Sequence, residues 1–160
     1  MFSRITLAII KPDVCACPPK LARIRELINE NGFKVLAEQY RRYTIKEMET
    51  FYEEHAGKFF FNRLTTYMSS GPVLVWILHQ GETTIPNWRA LLGPTKVFKA
   101  VFEDPDSLRG QFGLTDTRNA AHGSNSPDNV RREVHFFFPD LTEERLRTLL
   151  SEASFSSSSK

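Results

Sequence analysis

The sequence predicts an α/β (α+β) chain, a sandwich in which an antiparallel sheet is covered by helices, and three features carry that reading. Short apolar runs of strand length alternate with segments of helical periodicity, in the order strand, helix, strand, helical hairpin, strand, helix, loop, strand, helix. The 160 residues suit one core, and no internal repeat or change of composition marks a second domain. Hydrophobic residues at 41% and charged residues at 25% place the chain among globular proteins rather than disordered or fibrous ones.

Ile5 to Ile10 is an apolar run that reads as a central strand buried on both faces. Lys11-Pro12-Asp13 ends it and leaves Lys11 at the strand's end, where its cation meets either a ligand or solvent. From Pro19 to Asn31 the positions Leu21, Ile24, Leu27 and Ile28 repeat at helical spacing, and Gly32 supplies the left-handed cap. Phe33 to Tyr43 reads as a second strand, with Phe33, Val35 and Ala37 alternating against polar residues. Thr44-Ile45-Lys46-Glu47 matches a capping box and starts a helix that carries Phe51 and Tyr52. Phe59 to Ser70 forms the second arm of that hairpin, stopped by Gly71-Pro72, so Tyr52, Phe60 and Leu64 share a rim.

Val73 to His79 is a third, strongly apolar strand. Thr84 to Leu92 reads as a helix closed by Gly93-Pro94, with Arg89 and Thr95 flanking its end. Lys96 to Asp106 mixes Lys, Phe and Val without clean periodicity and reads mostly as loop, and Ser107 to Gly110 then supplies Arg109. Ser126, Pro127 and Asp128 are an N-cap, a first-turn proline and a first-turn acid, opening a helix to about Phe136. Phe136 to Pro139 is an apolar tether, and Thr142-Glu143-Glu144 opens a last helix through about Leu150. The folded unit therefore runs over 1–153, followed by a flexible Ser-rich tail over 154–160.

The chemistry concentrates between Arg118 and Ser124. His122 is flanked by Ala120-Ala121 and Gly123-Ser124, small residues that let its ring be approached closely and read as a turn. An isolated histidine in such a turn is more often inert; Glu133, about two turns into the next helix, changes that reading. A carboxylate there could hold one ring nitrogen and leave the other as a nucleophile, although by spacing alone Glu133 fits a solvated helix position equally well.

The stretch Asn119-Ala120-Ala121-His122-Gly123-Ser124 resembles the active-site signature of the nucleoside diphosphate kinase family. Further matches fall in the family's order: Ile10-Lys11-Pro12-Asp13, Phe51-Tyr52, Phe59-Phe60-Phe61, Met68-Ser69-Ser70-Gly71-Pro72, Leu92-Gly93-Pro94-Thr95 and Leu108-Arg109-Gly110. Together they cover residues 5–138, and such an ordered series is specific where any one motif would be weak. Within the family the chain is similar to a divergent branch.

The resemblance implies a ferredoxin-like βαββαβ core and transfer of the γ-phosphate of ATP or another nucleoside triphosphate to a nucleoside diphosphate, through phospho-His122. It makes His122, Lys11, Tyr52, Glu133 and Ser124 catalytic. Lys11, Phe60, Leu64, Arg89, Thr95, Arg109, Asn119 and Gly123 become nucleotide-binding, with Phe60 stacking on the base. Arg118 is assigned a structural pairing role. Mg²⁺ is implied as a cofactor carried by nucleotide phosphates, with no direct protein ligands, and Asn125 stands where the family often has Asp. A homo-oligomer is implied too; the hexamer is not carried over with it, because the segment over 96–106 is about three residues longer than in common members.

Two other functions remain open. One is a catalytically weak nucleotide-binding module that acts through a protein partner. The other, nucleic-acid binding on a ferredoxin-like sheet, is disfavoured by a net charge of only +2 and by the lack of the aromatic-glycine motif such sheets carry. Two cysteines one residue apart, Cys15 and Cys17, suit reduced thiols rather than a disulfide framework. No apolar run has membrane-spanning length and no secretory signal is visible, so the expectation is an intracellular protein, cytoplasmic or mitochondrial.

Overall fold

The computed structural model describes residues 1–156. Its strands are β1 (Ile5–Ile10), β2 (Lys34–Arg41), β3 (Val73–His79) and β4 (Ala121–Gly123). They form one antiparallel sheet in the order β2-β3-β1-β4, with Ile9 opposite Val75 on one side and His122 on the other. This is the ferredoxin-like arrangement, and β1 lies inside it because its side chains are apolar on both faces.

Period-two alternation sorts those side chains into two layers. Ile5, Leu7 and Ile9 join Val73, Val75 and Ile77 on one face; Ala8 and Ile10 join Leu74, Trp76 and Leu78 on the other. The first face is covered by α3 (Ile45–Phe51), α4 (Phe61–Met68), α8 (Pro127–Phe137) and α9 (Glu143–Phe155). The second is covered by α2 (Pro18–Glu30) and α5 (Thr84–Leu92), which contribute Ile24, Leu27, Trp88 and Leu92. Burial of these stripes at ~25 cal/mol per Å² is the main source of stability. The capping box at Thr44 and Glu47 forms in full, and Ser126 accepts from the Asn129 amide at 3.2 Å.

Three expectations need correction. The segment over 96–106 is mostly helical: α6 (Val97–Glu103) is followed by α7 (Leu108–Phe112). Val97 and Ala100 of α6 face the protein while Phe98, Val101 and Phe102 face outward, so apolar residues on both sides erase the periodic signal. In β2 a register shift between Val35 and Ala37 breaks the alternation; Val35 is exposed while Ala37 packs on the core. The last helix continues to Phe155, so Ser154 and Phe155 belong to it rather than to a tail, and the rest of the expected tail, 157–160, lies outside the described residues. A short helix α1 (Pro12–Cys15) also follows β1 directly. Among the described residues no helix is long and apolar enough to cross a membrane.

Candidate active site

His122 sits on the short strand β4 rather than on an exposed turn, and 25% of its side chain is exposed. Ladder pairing with Ile9 and strand alternation turn its ring toward the face covered by α8. There the ring meets Phe51 edge-on, at 5.8 Å between centroids. The backbone leading in is unusual: Ala120, fully buried, has φ of +73°, a left-handed conformation that non-glycine residues rarely adopt. Its carbonyl accepts from the Lys11 amide, which fixes the end of β1 against the entrance to β4.

Glu133 projects from α8 on the same side as Val130, Val134 and Phe137, and its side chain is only 2% exposed. Its Oε2 lies 2.8 Å from His122 Nε2, and its Oε1 accepts from Ser124 Oγ at 2.6 Å. Ser124 is locked in turn, accepting from the Leu7 amide at 3.2 Å. Burial pushes the Glu133 carboxyl up; the charge of His122, hydrogen bonds from His122 and Ser124, and the charge of Arg132 together outweigh it, so the carboxyl titrates below its ordinary range. An ionised carboxylate accepts only, so in the neutral form of the ring the proton sits on Nε2 and the Nδ1 lone pair is left free. Nδ1 has no hydrogen-bond partner among the described residues.

His122 opens into a cavity of about 680 Å³. Lys11, Arg89 and Arg109 bring cations to its wall near β4. Lys11 Nζ, buried, donates to Asn119 Oδ1 at 2.5 Å and to Thr117 O at 3.1 Å. Burial and the neighbouring Arg109 depress its pKa to about 7, with Asp13 opposing the shift. Arg109 donates to Gly93 O at 2.9 Å and Ala121 O at 3.0 Å, and its buried Nε is unpartnered. Burial and Arg89 pull its pKa down to about 10, which leaves it charged at neutral pH. Arg89 donates to Gly123 O at 3.3 Å. Cations desolvated by burial and crowded by one another favour an incoming anion, which restores what burial removed.

Thr95, Asn119, Phe60, Leu64, Tyr52 and Gly123 line the same cavity, so of the residues expected to be catalytic or nucleotide-binding only Ser124 stands behind the wall, where it holds Glu133. Asn119 donates to Thr95 O at 3.3 Å, which ties two of them together. Tyr52 and Leu64 are more buried than a rim position implies and belong to the core as well; burial, then Glu133, push the Tyr52 hydroxyl up. Gly123 is required sterically, since a Cβ there would lie 2.5 Å from Trp88 Cδ1.

The cavity also contains residues that the sequence reading passed over. Arg132, beside Glu133, donates to Phe51 O at 3.2 Å and stands 3.9 Å from Glu54, joining α8 to the helical hairpin. Its neighbour Glu133 was a signal that could have found it. Arg63 and Asp116 line the wall without a motif that would mark them. Arg118 lies outside this cavity, with its guanidinium 5.3 Å from the Tyr67 ring centroid. Among the described residues no group of three or more His, Cys, Asp or Glu could hold a metal ion.

Comparison with known proteins bears on the family of the chain. The family model described as "Nucleoside diphosphate kinase" matches residues 4–142. "Nucleoside diphosphate kinase 6" from Danio rerio is 47% identical over 141 residues, covering 88% of this chain and 79% of the relative. The protein of the same description from Homo sapiens is 44% identical over 142 residues, covering 89% and 76%. A crystal structure of the Aquifex aeolicus nucleoside diphosphate kinase superposes with a TM-score of 0.79 at 35% identity, covering 84% of this chain and 94% of that one. Sequence likeness over most of both lengths and a shared fold leave one conclusion: the chain belongs to the nucleoside diphosphate kinase family.

Proposed function

We propose that this chain transfers the γ-phosphate of ATP or another nucleoside triphosphate to a nucleoside diphosphate through phospho-His122. The observation that carries this reading is the division of labour at the imidazole, with Nε2 engaged by Glu133 and Nδ1 left free in a cationic cavity. In the first half-reaction the Nδ1 lone pair attacks the γ-phosphorus and the bond to the β–γ bridging oxygen breaks, releasing the nucleoside diphosphate. The positive charge that develops on the ring is balanced by Glu133. In the second half-reaction a terminal oxygen of another diphosphate attacks the same phosphorus, and His122 leaves with its lone pair. The scheme is ping-pong, through a covalent intermediate.

Lys11, Arg89 and Arg109 hold the phosphate oxygens and spread the negative charge of transfer, assisted by Thr95, Asn119 and the Tyr52 hydroxyl. Phe60 stacks on the base beside Leu64, and stacking tolerates every base because each has a π-face. The donor set fits phosphates rather than a bare metal, because cations dominate this wall and Asn125 is neutral. Mg²⁺ would therefore reach the site on phosphate oxygens, where it neutralises charge. The exposed Phe98, Val101 and Phe102 on α6 suit contact with another copy of the chain. The same patch favours a second reading, a nucleotide-binding module that works through a protein partner.

Incubation with γ-labelled ATP and Mg²⁺ separates the two. Acid-labile, base-stable label on His122 that chases onto an added diphosphate is the expected result. Nucleotide binding without label would favour the partner-dependent module.

A further inference from the structure

Phosphate chemistry leaves several charged groups of the cavity wall unused, among them Arg63 and Asp116. Arg63 lies on α4 beside Leu64 and close in sequence to Phe60, the residues assigned above to the base; Asp116 enters from the segment before β4. Arg63 and Thr117 line both this cavity and an adjoining cleft of about 640 Å³, so they form the rim between the two, and Asp116 precedes Thr117 in the chain. The cavity wall thus carries a guanidinium from α4 and a carboxylate from the segment before β4. Arg63 makes no hydrogen bond or ion pair among the described residues. Asp116 uses only Oδ1, which accepts from the Val97 amide at 3.2 Å and so fixes the carboxylate at the start of α6. Its Oδ2 has no partner among the described residues.

We infer that Arg63 and Asp116 read the edge of the nucleobase and bias the site toward guanine nucleotides. The inference rests on the reading that Phe60 stacks on the base. An ionised carboxylate only accepts, so its complement is a base edge with two adjacent donors. Guanine has that edge in N1–H and the N2 amino group. Adenine places an acceptor, N1, beside its single amino donor; cytosine likewise sets its amino group beside the acceptor N3, and uracil sets N3–H between two carbonyls. A guanidinium only donates, and guanine supplies O6 and N7 as adjacent acceptors where adenine sets an amino group beside N7. Guanine therefore satisfies both groups, while adenine turns a donor or a repelling lone pair toward one or the other. Because Arg63 and Asp116 are exposed to water, the discrimination is about tenfold rather than the larger ratios of a dry pocket.

The test compares GDP with ADP as phosphate acceptors for the wild-type chain, Asp116→Asn and Arg63→Met. Asparagine can still accept from the Val97 amide, so Asp116→Asn keeps the α6 contact while replacing one acceptor by a donor. The expected wild-type kcat/KM ratio is about ten in favour of GDP, falling toward one in either variant. Displacement of a fluorescent ATP analogue by GDP and by ADP reads the same preference without turnover. A tenfold preference in displacement with no phosphate transfer would support base reading and sink the kinase reading. Transfer with equal use of both diphosphates would do the reverse. Equal losses with GDP and ADP in Arg63→Met would overturn the inference by assigning Arg63 to the phosphates, and displacement by neither nucleotide would overturn both readings.

Discussion

Glu133 grips His122 at the ring nitrogen opposite Nδ1: its Oε2 is 2.8 Å from Nε2. In the proposed transfer the carboxylate sets the tautomer and stabilises the imidazolium character that grows as phosphorus is attacked. Glu133→Gln keeps the side-chain shape and an oxygen for Ser124 while removing the charge. The rate of His122 phosphorylation, measured by rapid quench, should fall roughly 10- to 100-fold with little change in nucleotide affinity. An unchanged rate would reduce Glu133 to a packing role.

His122→Ala should abolish transfer, and it should also cost stability. The ring is only 25% exposed and is the chief partner that offsets burial of Glu133, through its hydrogen bond and, when protonated, its charge. Its removal leaves a buried carboxylate with Ser124 as its remaining hydrogen-bond donor, a loss of about 1–3 kcal/mol. Urea denaturation of the variant at pH 7 should show that loss. Adding Glu133→Gln to His122→Ala should recover part of it, because no buried charge then remains.

The strands β1 and β3, the helix α2 and the start of α8 were legible because each is bounded by residues with one structural meaning. Pro127 behind Ser126 can only begin a helix efficiently, and Gly32 ends α2 at a φ of +76°. The His122–Glu133 contact was not legible from spacing. It depends on Ser124 pairing with Leu7, 117 residues away, which sets where β4 lies beneath α8. Likewise Phe98 and Phe102 hid α6 by placing apolar side chains on its solvent face, and the bulge after Val35 has no residue that announces it. Local chemistry is written in order along the chain, whereas side-chain meeting points depend on register across the sheet.

Lys11 gives the site a pH signature. Its pKa near 7 in the folded protein lies below the ordinary lysine value of 10.5, so between these values the unfolded chain binds more protons than the folded one. Folding stability carried by this group therefore rises from pH 7 toward 10.5 and falls in the opposite direction. Nucleotide phosphates beside Nζ reverse the bias by favouring the ammonium form. Binding at pH 8 should take up as much as about one proton, seen as a calorimetric enthalpy that varies with the ionisation enthalpy of the buffer. Lys11→Gln should bind more weakly and lose most of that uptake. Equal buffer dependence in both proteins would place the proton elsewhere.

Gly123 couples the strand that carries His122 to α5. Trp88 Nε1 donates to His122 O at 3.2 Å, and the indole passes so close to Gly123 that an added Cβ would lie 2.5 Å from Cδ1 and 2.8 Å from Nε1. The indole is fully buried and packs edge-on against Phe33, so it has little room to yield. Gly123→Ala should therefore cost about 1–3 kcal/mol of stability by overpacking. It should also slow phosphorylation of His122, because the strand must shift to admit the methyl group and His122 moves with it. Trp88→Ala in the same chain removes Cδ1 and Nε1, the atoms that would clash. If the clash is the cause, Gly123→Ala should cost little further thermal midpoint or phosphorylation rate in the Trp88→Ala background. Additive losses in the two assays would mean instead that Gly123 acts independently of Trp88.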